Sequence, residues 1–183
     1  DIANKVENTL LAEGIKPFVI RKTSGKSASA CIMIDKEGRN RVVCYPGVSS
    51  FMTKEDVRLF EEEIKTSKYL LLQFEMSDES LFEAIELANK HNTLVILNPA
   101  PAKKLPLELI NKAYVITPNE QEAEVILGNS DNETILKSII PNIIVTKGEL
   151  GSVVKTNKQI FSVSARKVKP LNTTGAGDTY NGV

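Results

Sequence analysis

The sequence predicts an α/β fold built on a mostly parallel sheet, with a small β appendage ahead of it, and two patterns lead there. From Tyr69 onward short apolar runs recur: Tyr69-Leu70-Leu71-Leu72-Gln73, Leu94-Val95-Ile96-Leu97, Tyr114-Val115-Ile116 and Ile143-Ile144-Val145. Unbroken runs of this kind suit strands buried on both faces, the condition of a parallel sheet covered by helices. Between the first two, Leu81, Ile85 and Leu87-Ala88 fall at helical spacing behind a capping Ser77, so the order reads βαβ. The second pattern lies upstream, where Phe18-Val19-Ile20 and the stretches 28–34 and 41–44 read as strands joined by turns such as Asp35-Lys36-Glu37-Gly38.

The remaining elements follow in order. Residues 1–13 predict a helix with Ile2, Val6 and Leu10 on one face and Gly14 as its stop. Cys31 and Cys44, the only cysteines, sit in apolar strand-like runs and read as buried free thiols of a reducing compartment, with a disulfide between them as the lesser alternative. His91, the only histidine, falls at a helix end beside Asn92, where the helix dipole favours it; one histidine and two separated cysteines give no zinc-site spacing.

Composition narrows the function classes. In 183 residues, 23 basic side chains balance 23 acidic ones, so no global field draws the chain to nucleic acid or an anionic membrane. The start lacks a signal-peptide pattern and no apolar run approaches a membrane span, which makes the cytoplasm the expected location. There is no initiating Met, and the chain stops just after a glycine-rich turn, so both ends read as cut.

Open parallel sheets bind ligands at the carboxyl ends of their strands, which directs attention to Glu75, Asn98, Asn119 with Glu122, and Thr146 with Gly148. Strand-end loops are polar in any case, so none of these positions is diagnostic alone. The sharpest local signal is Asn172-Thr173-Thr174-Gly175-Ala176-Gly177-Asp178-Thr179. Small residues let a backbone approach a phosphate, and amides opening a helix point at an anion. Asp178 then stands where a carboxylate can take a proton from an attacking hydroxyl. A helix start with a capping Asp is the plain structural alternative. A Walker loop fails because Val183 occupies the lysine position, and a dinucleotide fingerprint fails because Tyr180 replaces its third glycine.

The turn with its continuation, residues 173–182, resembles the C-terminal signature of the ribokinase family of sugar and nucleoside kinases, also known as the PfkB family. Asn98-Pro99-Ala100-Pro101-Ala102 resembles that family's strand-end loop, residues 117–124 its Asn-x-x-Glu segment, and residues 146–151 its nucleotide-contacting strand end, all in family order. The resemblance implies a ribokinase-like three-layer α/β/α sandwich with a mostly parallel sheet and a small β lid. Residues 1–16 and 46–183 would form the core, and strands within 17–45 part of the lid. It implies ATP-dependent phosphorylation of a sugar's primary hydroxyl, D-ribose first. The alternatives are a nucleoside or other sugar kinase, or a non-catalytic nucleotide- or sugar-binding relative.

By the same resemblance Asp178 is the catalytic base and touches the acceptor, while the amides of Gly175, Ala176 and Gly177 hold the transferring phosphoryl group. Glu75 and Asn98 face the sugar. Asn119, Thr146, Gly148 and Gly177 face the nucleotide, and Glu122 with Asn119 serves Mg²⁺ through water. Asn172 stands where relatives often carry an Asp beside a monovalent cation, a departure that counts against K⁺ activation. The family's early Asp and Gly-Gly-Lys-Gly-type turn do not occur in these residues, so activity is expected of a longer parent rather than of this stretch. A homodimer through the lid is implied as well.

Overall fold

A computed structural model describes residues 2–22, 24–36, 40–170 and 172–183. The chain opens with helix α1 (Ile2–Ala12), followed by strands β1 (Ser29–Ile34) and β2 (Asn40–Tyr45) and two short helices, α2 (Lys54–Arg58) and α3 (Glu61–Thr66). Then come β3 (Tyr69–Leu72), α4 (Asp78–Lys90), β4 (Leu94–Leu97), α5 (Leu107–Ile110), β5 (Val115–Ile116), α6 (Glu120–Leu127), α7 (Asn132–Lys137) and β6 (Ile143–Thr146). Strands β7 (Ser152–Lys155) and β8 (Ile160–Val163) and helix α8 (Ala176–Gly182) close the described chain.

Strands β3 to β8 form a six-stranded sheet in sequence order. The pairs from β3 through β6 are parallel, and β7 and β8 extend the sheet antiparallel. Helices α4, α6 and α7 pack against it, which makes the core an α/β sandwich around a mostly parallel sheet, as the alternation of runs predicts. Leu81 and Ile85 of α4, Leu97 of β4, Ile116 of β5, Ile135 of α7 and Ile143 and Val145 of β6 are fully buried at its centre. Ser77 caps α4 by accepting from the Ser80 N–H, and Gly14, at φ +74°, follows α1.

Four expectations need correction. Strand β3 is not buried on both faces among the described residues: Tyr69 and Leu71 are each 46% exposed, and β3 stands at one end of the described strand order. Phe18-Val19-Ile20 is not a strand; Phe18 instead sets its ring edge-on to Phe60, 6.2 Å between centroids, so its apolar character serves packing beside α3. Cys31 and Cys44 are free but exposed rather than buried. Their strands form a separate two-stranded antiparallel sheet, and the register sets Cys31 against Val43 and Cys44 against Ala30. Side chains alternate along a strand, so the two thiols point to opposite faces. Finally, Ile2 and Val6 of α1 are exposed, and no residue of that helix is buried. The expected turn at 35–38 lies partly outside the described residues.

Candidate active site

The carboxyl ends of β3, β4, β5 and β6 present polar residues along one edge. Asn98, directly after β4, is buried; its backbone N–H donates to the Leu72 carbonyl oxygen at 2.9 Å. Its side-chain Nδ2 donates to the Thr117 carbonyl oxygen at 3.0 Å. The loop that follows holds a cis peptide at Ala100-Pro101 and ties back through the Phe74 N–H to the Ala100 carbonyl oxygen at 2.8 Å. Asn119 and Thr146 form a parallel bridge, and the Thr146 N–H donates to the Pro118 carbonyl oxygen at 2.9 Å, so the β5 and β6 ends are locked side by side. Gly148 is exposed with φ +53°, a conformation that disfavours any side chain.

Asn119 also caps α6 in a reciprocal box. Its Oδ1 accepts from the Glu122 N–H at 2.9 Å, while its own N–H and Nδ2 donate to the two Glu122 carboxylate oxygens at 2.8 and 2.9 Å. The Asn-x-x-Glu spacing therefore has a local structural purpose. Burial raises the Glu122 carboxyl above its ordinary range, and the Asn119 backbone N–H opposes this only in part. A buried carboxylate whose hydrogen-bond partner is the neutral Asn119 fits a nearby hard cation held through water, and its donors are all oxygen. Glu124, by contrast, is exposed on the same helix.

Helix α8 opens at Gly175, whose φ of +78° is a left-handed conformation that glycine adopts without strain. No side chain caps this start. The Ala176 N–H is used within the turn, donating to the Thr173 carbonyl oxygen at 3.2 Å. Upstream, Asn172 Oδ1 accepts from the Thr174 N–H at 2.9 Å. Asp178 lies exposed on the first turn of α8. Three polar contacts dock the helix onto the sheet edge: Gln73 Nε2 donates to Asp178 Oδ1 at 3.5 Å, Thr117 Oγ1 to Asn181 Oδ1, and the Tyr180 hydroxyl to Ser152 Oγ at 3.2 Å.

The fold thus brings Asn98, Asn119, Glu122, Thr146 and Asp178 to one edge. Glu75 lies exposed in the loop after β3, and among the described residues it hydrogen-bonds to neither Asn98 nor Asp178. Sequence reading passes over Gln73, because it ends an apolar run and carries no motif. The signal available was its position, the last side chain before the strand-end loop.

Fold and edge together define an α/β protein whose ligand site belongs at the carboxyl ends of its parallel strands, opposite a glycine turn and an exposed carboxylate. All 183 residues match the model of the pfkB family of carbohydrate kinases, and the chain belongs to that family. It is 34% identical to the ribokinase of Staphylococcus aureus over 174 residues, covering 90% of this chain and 57% of that protein. It is 31% identical to the deoxyribokinase of Salmonella typhi over 190 residues, covering 98% of this chain and 62% of that protein. The crystal structure of ribokinase from Thermotoga maritima superposes with a TM-score of 0.80 at 28% identity, over 100% of this chain and 62% of that one. The fold is therefore ribokinase-like, and the chain spans about three fifths of the length of the relatives it matches.

Proposed function

We propose that the protein carrying this chain is an ATP-dependent carbohydrate kinase that phosphorylates the primary hydroxyl of D-ribose to give ribose 5-phosphate. The observation that carries the reading is the placement of Asp178, on the first turn of α8 behind left-handed Gly175, against the Gln73 and Asn98 end of the sheet. Asp178 takes the proton of the acceptor hydroxyl as that oxygen attacks the γ-phosphorus. The backbone of Gly175, Ala176 and Gly177 lines the path of the transferring group, with the Gly177 N–H at a helix start no side chain caps. Asn98 and Glu75 orient the sugar, Glu75 with two acceptor oxygens suited to hydroxyls. Thr146 and Gly148 approach the nucleotide from the end of β6.

Asn119 and Glu122 would hold Mg²⁺ through its water, and bound there the ion offsets the negative charge of the nucleotide phosphates. K⁺ beside Asn172 belongs to the same reading, weakened by an amide in place of a carboxylate and by the Asn172 oxygen already accepting from Thr174.

The two-stranded sheet is read as a lid and dimer contact in the cytoplasm-located enzyme. Its support is that both faces carry exposed apolar residues: Met33 and Val43 on one, Ile32 and Val42 on the other. No described helix is long and apolar enough to cross a membrane.

The test is ADP release by the full-length protein with Mg-ATP across D-ribose, 2-deoxyribose, other sugars and nucleosides. Ribose is expected to give the highest kcat/KM. The likeness to deoxyribokinase makes 2-deoxyribose the second reading, and a clear preference for it would replace ribose. Acceptor-independent behaviour across the whole panel would remove the kinase reading and favour a non-catalytic binder.

A further inference from the structure

We infer that Gln73 is a positioning residue for Asp178: a side-chain amide, oriented from the sheet, that can only donate to the proposed base. The inference rests on the reading of Asp178 given above.

The polarity of Gln73 is dictated by a chain of contacts that starts at a backbone carbonyl. The Thr117 carbonyl oxygen can only accept, so buried Asn98 must turn its Nδ2 toward it, at 3.0 Å. That choice leaves Asn98 Oδ1 facing Gln73, where it needs a donor. Gln73 answers with Nε2, 3.4 Å away. An amide nitrogen carries two protons, and the second lies toward Asp178 Oδ1 at 3.5 Å. With the amide the other way round, its oxygen would face two acceptors at once, one of them a carboxylate. The strand ends therefore turn the N–H side of the Gln73 amide toward Asp178, at 3.5 Å.

The contact matters because, among the described residues, Gln73 is the side chain outside α8 that hydrogen-bonds to this carboxylate. Helix α8 has no buried residue, and its other polar ties, Thr117 to Asn181 and Ser152 to Tyr180, hold the helix without touching Asp178. Fixing one oxygen limits rotation of the carboxylate and leaves the other, Oδ2, to receive the acceptor's proton. Positional error in a base is costly to rate, since proximity and orientation contribute several kcal/mol to such steps.

The test compares Gln73→Leu and Gln73→Glu in the full-length protein, with D-ribose and Mg-ATP, and kcat is expressed per nucleotide-binding site titrated so that misfolded protein does not count. The Leu variant, which keeps bulk and loses the donor, should lower kcat about ten- to a hundredfold, the range of one hydrogen bond to a charged group. KM for ATP should stay within about twofold, since Gln73 faces the base and not the nucleotide. The Glu variant, which opposes Asp178 with a second acceptor, should lower kcat further than Leu. A purely structural role predicts no such order and a loss that follows the melting temperature. A kcat for Gln73→Leu within about twofold of wild type would overturn the inference. An Asp178→Asn variant that keeps full turnover removes the role of Asp178 and that of Gln73 with it, whereas an inactive Asp178→Asn beside a fully active Gln73→Leu removes only the role of Gln73.

Discussion

At Glu61, on the first turn of α3, one carboxylate oxygen accepts from Lys90 Nζ at 2.7 Å and lies 2.7 Å from His91 Nε2. The hydrogen bond from Lys90, then that from His91, pulls the Glu61 carboxyl down from 4.5 to about 2. The lone histidine, expected at a helix end on dipole grounds, is indeed the C-cap of α4, but its partner is this carboxylate, which pins α3 to α4. A carboxyl with a depressed folded value contributes stability that is complete above its unfolded value and is lost as pH falls. The difference in melting temperature between wild type and Glu61→Gln should therefore shrink as pH falls from 4.5 to about 2. Melts across that window check it; a gap that widens on acidification would assign the pair no stabilising role. Because the group is still reached by solvent, its side chain 31% exposed, added salt should narrow the gap at every pH.

Among the elements, the two-stranded sheet of β1 and β2, like helix α1, leaves its apolar content exposed. A hairpin alone is marginal in water, and this one exposes Val42 at 49% and Val43 at 60%, on opposite faces. If one face meets a second copy and the other the acceptor side, then Val42→Asp and Val43→Asp should differ. One is expected to shift the full-length protein to a slower-sedimenting monomer-sized species, and the other to raise KM for the sugar at unchanged mass. Sedimentation velocity beside steady-state kinetics reads both, and two variants with wild-type mass and KM would contradict the lid reading. The same element shows where the sequence stops being legible. Strand runs at 28–34 and 41–44 are plain from their β-branched content, yet period alone cannot tell a face buried in a core from one kept for docking, which is why Cys31 and Cys44 read as buried and are exposed. Phe18-Val19-Ile20 fails for a related reason, since three apolar residues serve a loop against Phe60 as well as they serve a strand. The parallel strands β3 to β6 were legible because runs buried on at least one face have few other solutions. The hairpin of β7 and β8 carries a weaker pattern, broken by Thr156-Asn157-Lys158-Gln159, and goes unread.

For the molecule as a whole, strand order decides where the candidate site is. Sequential parallel pairing of β3 to β6 sets Gln73, Asn98, Thr117 and Thr146 along one edge, and α8 meets it through side-chain hydrogen bonds. The motifs made Asp178, Asn119, Glu122, Asn98 and Thr146 readable one by one; their adjacency, and the donor chain through Gln73, came only from the fold, because those contacts join residues far apart in sequence. The central claim is that this edge carries phosphoryl transfer with Asp178 as base, and single-turnover kinetics of the full-length Asp178→Asn variant with D-ribose and Mg-ATP tests it most directly. Nucleotide binding should stay close to wild type while the chemical step slows by about a hundredfold or more, the scale of general-base catalysis; a chemical step at the wild-type rate would remove Asp178 as the base.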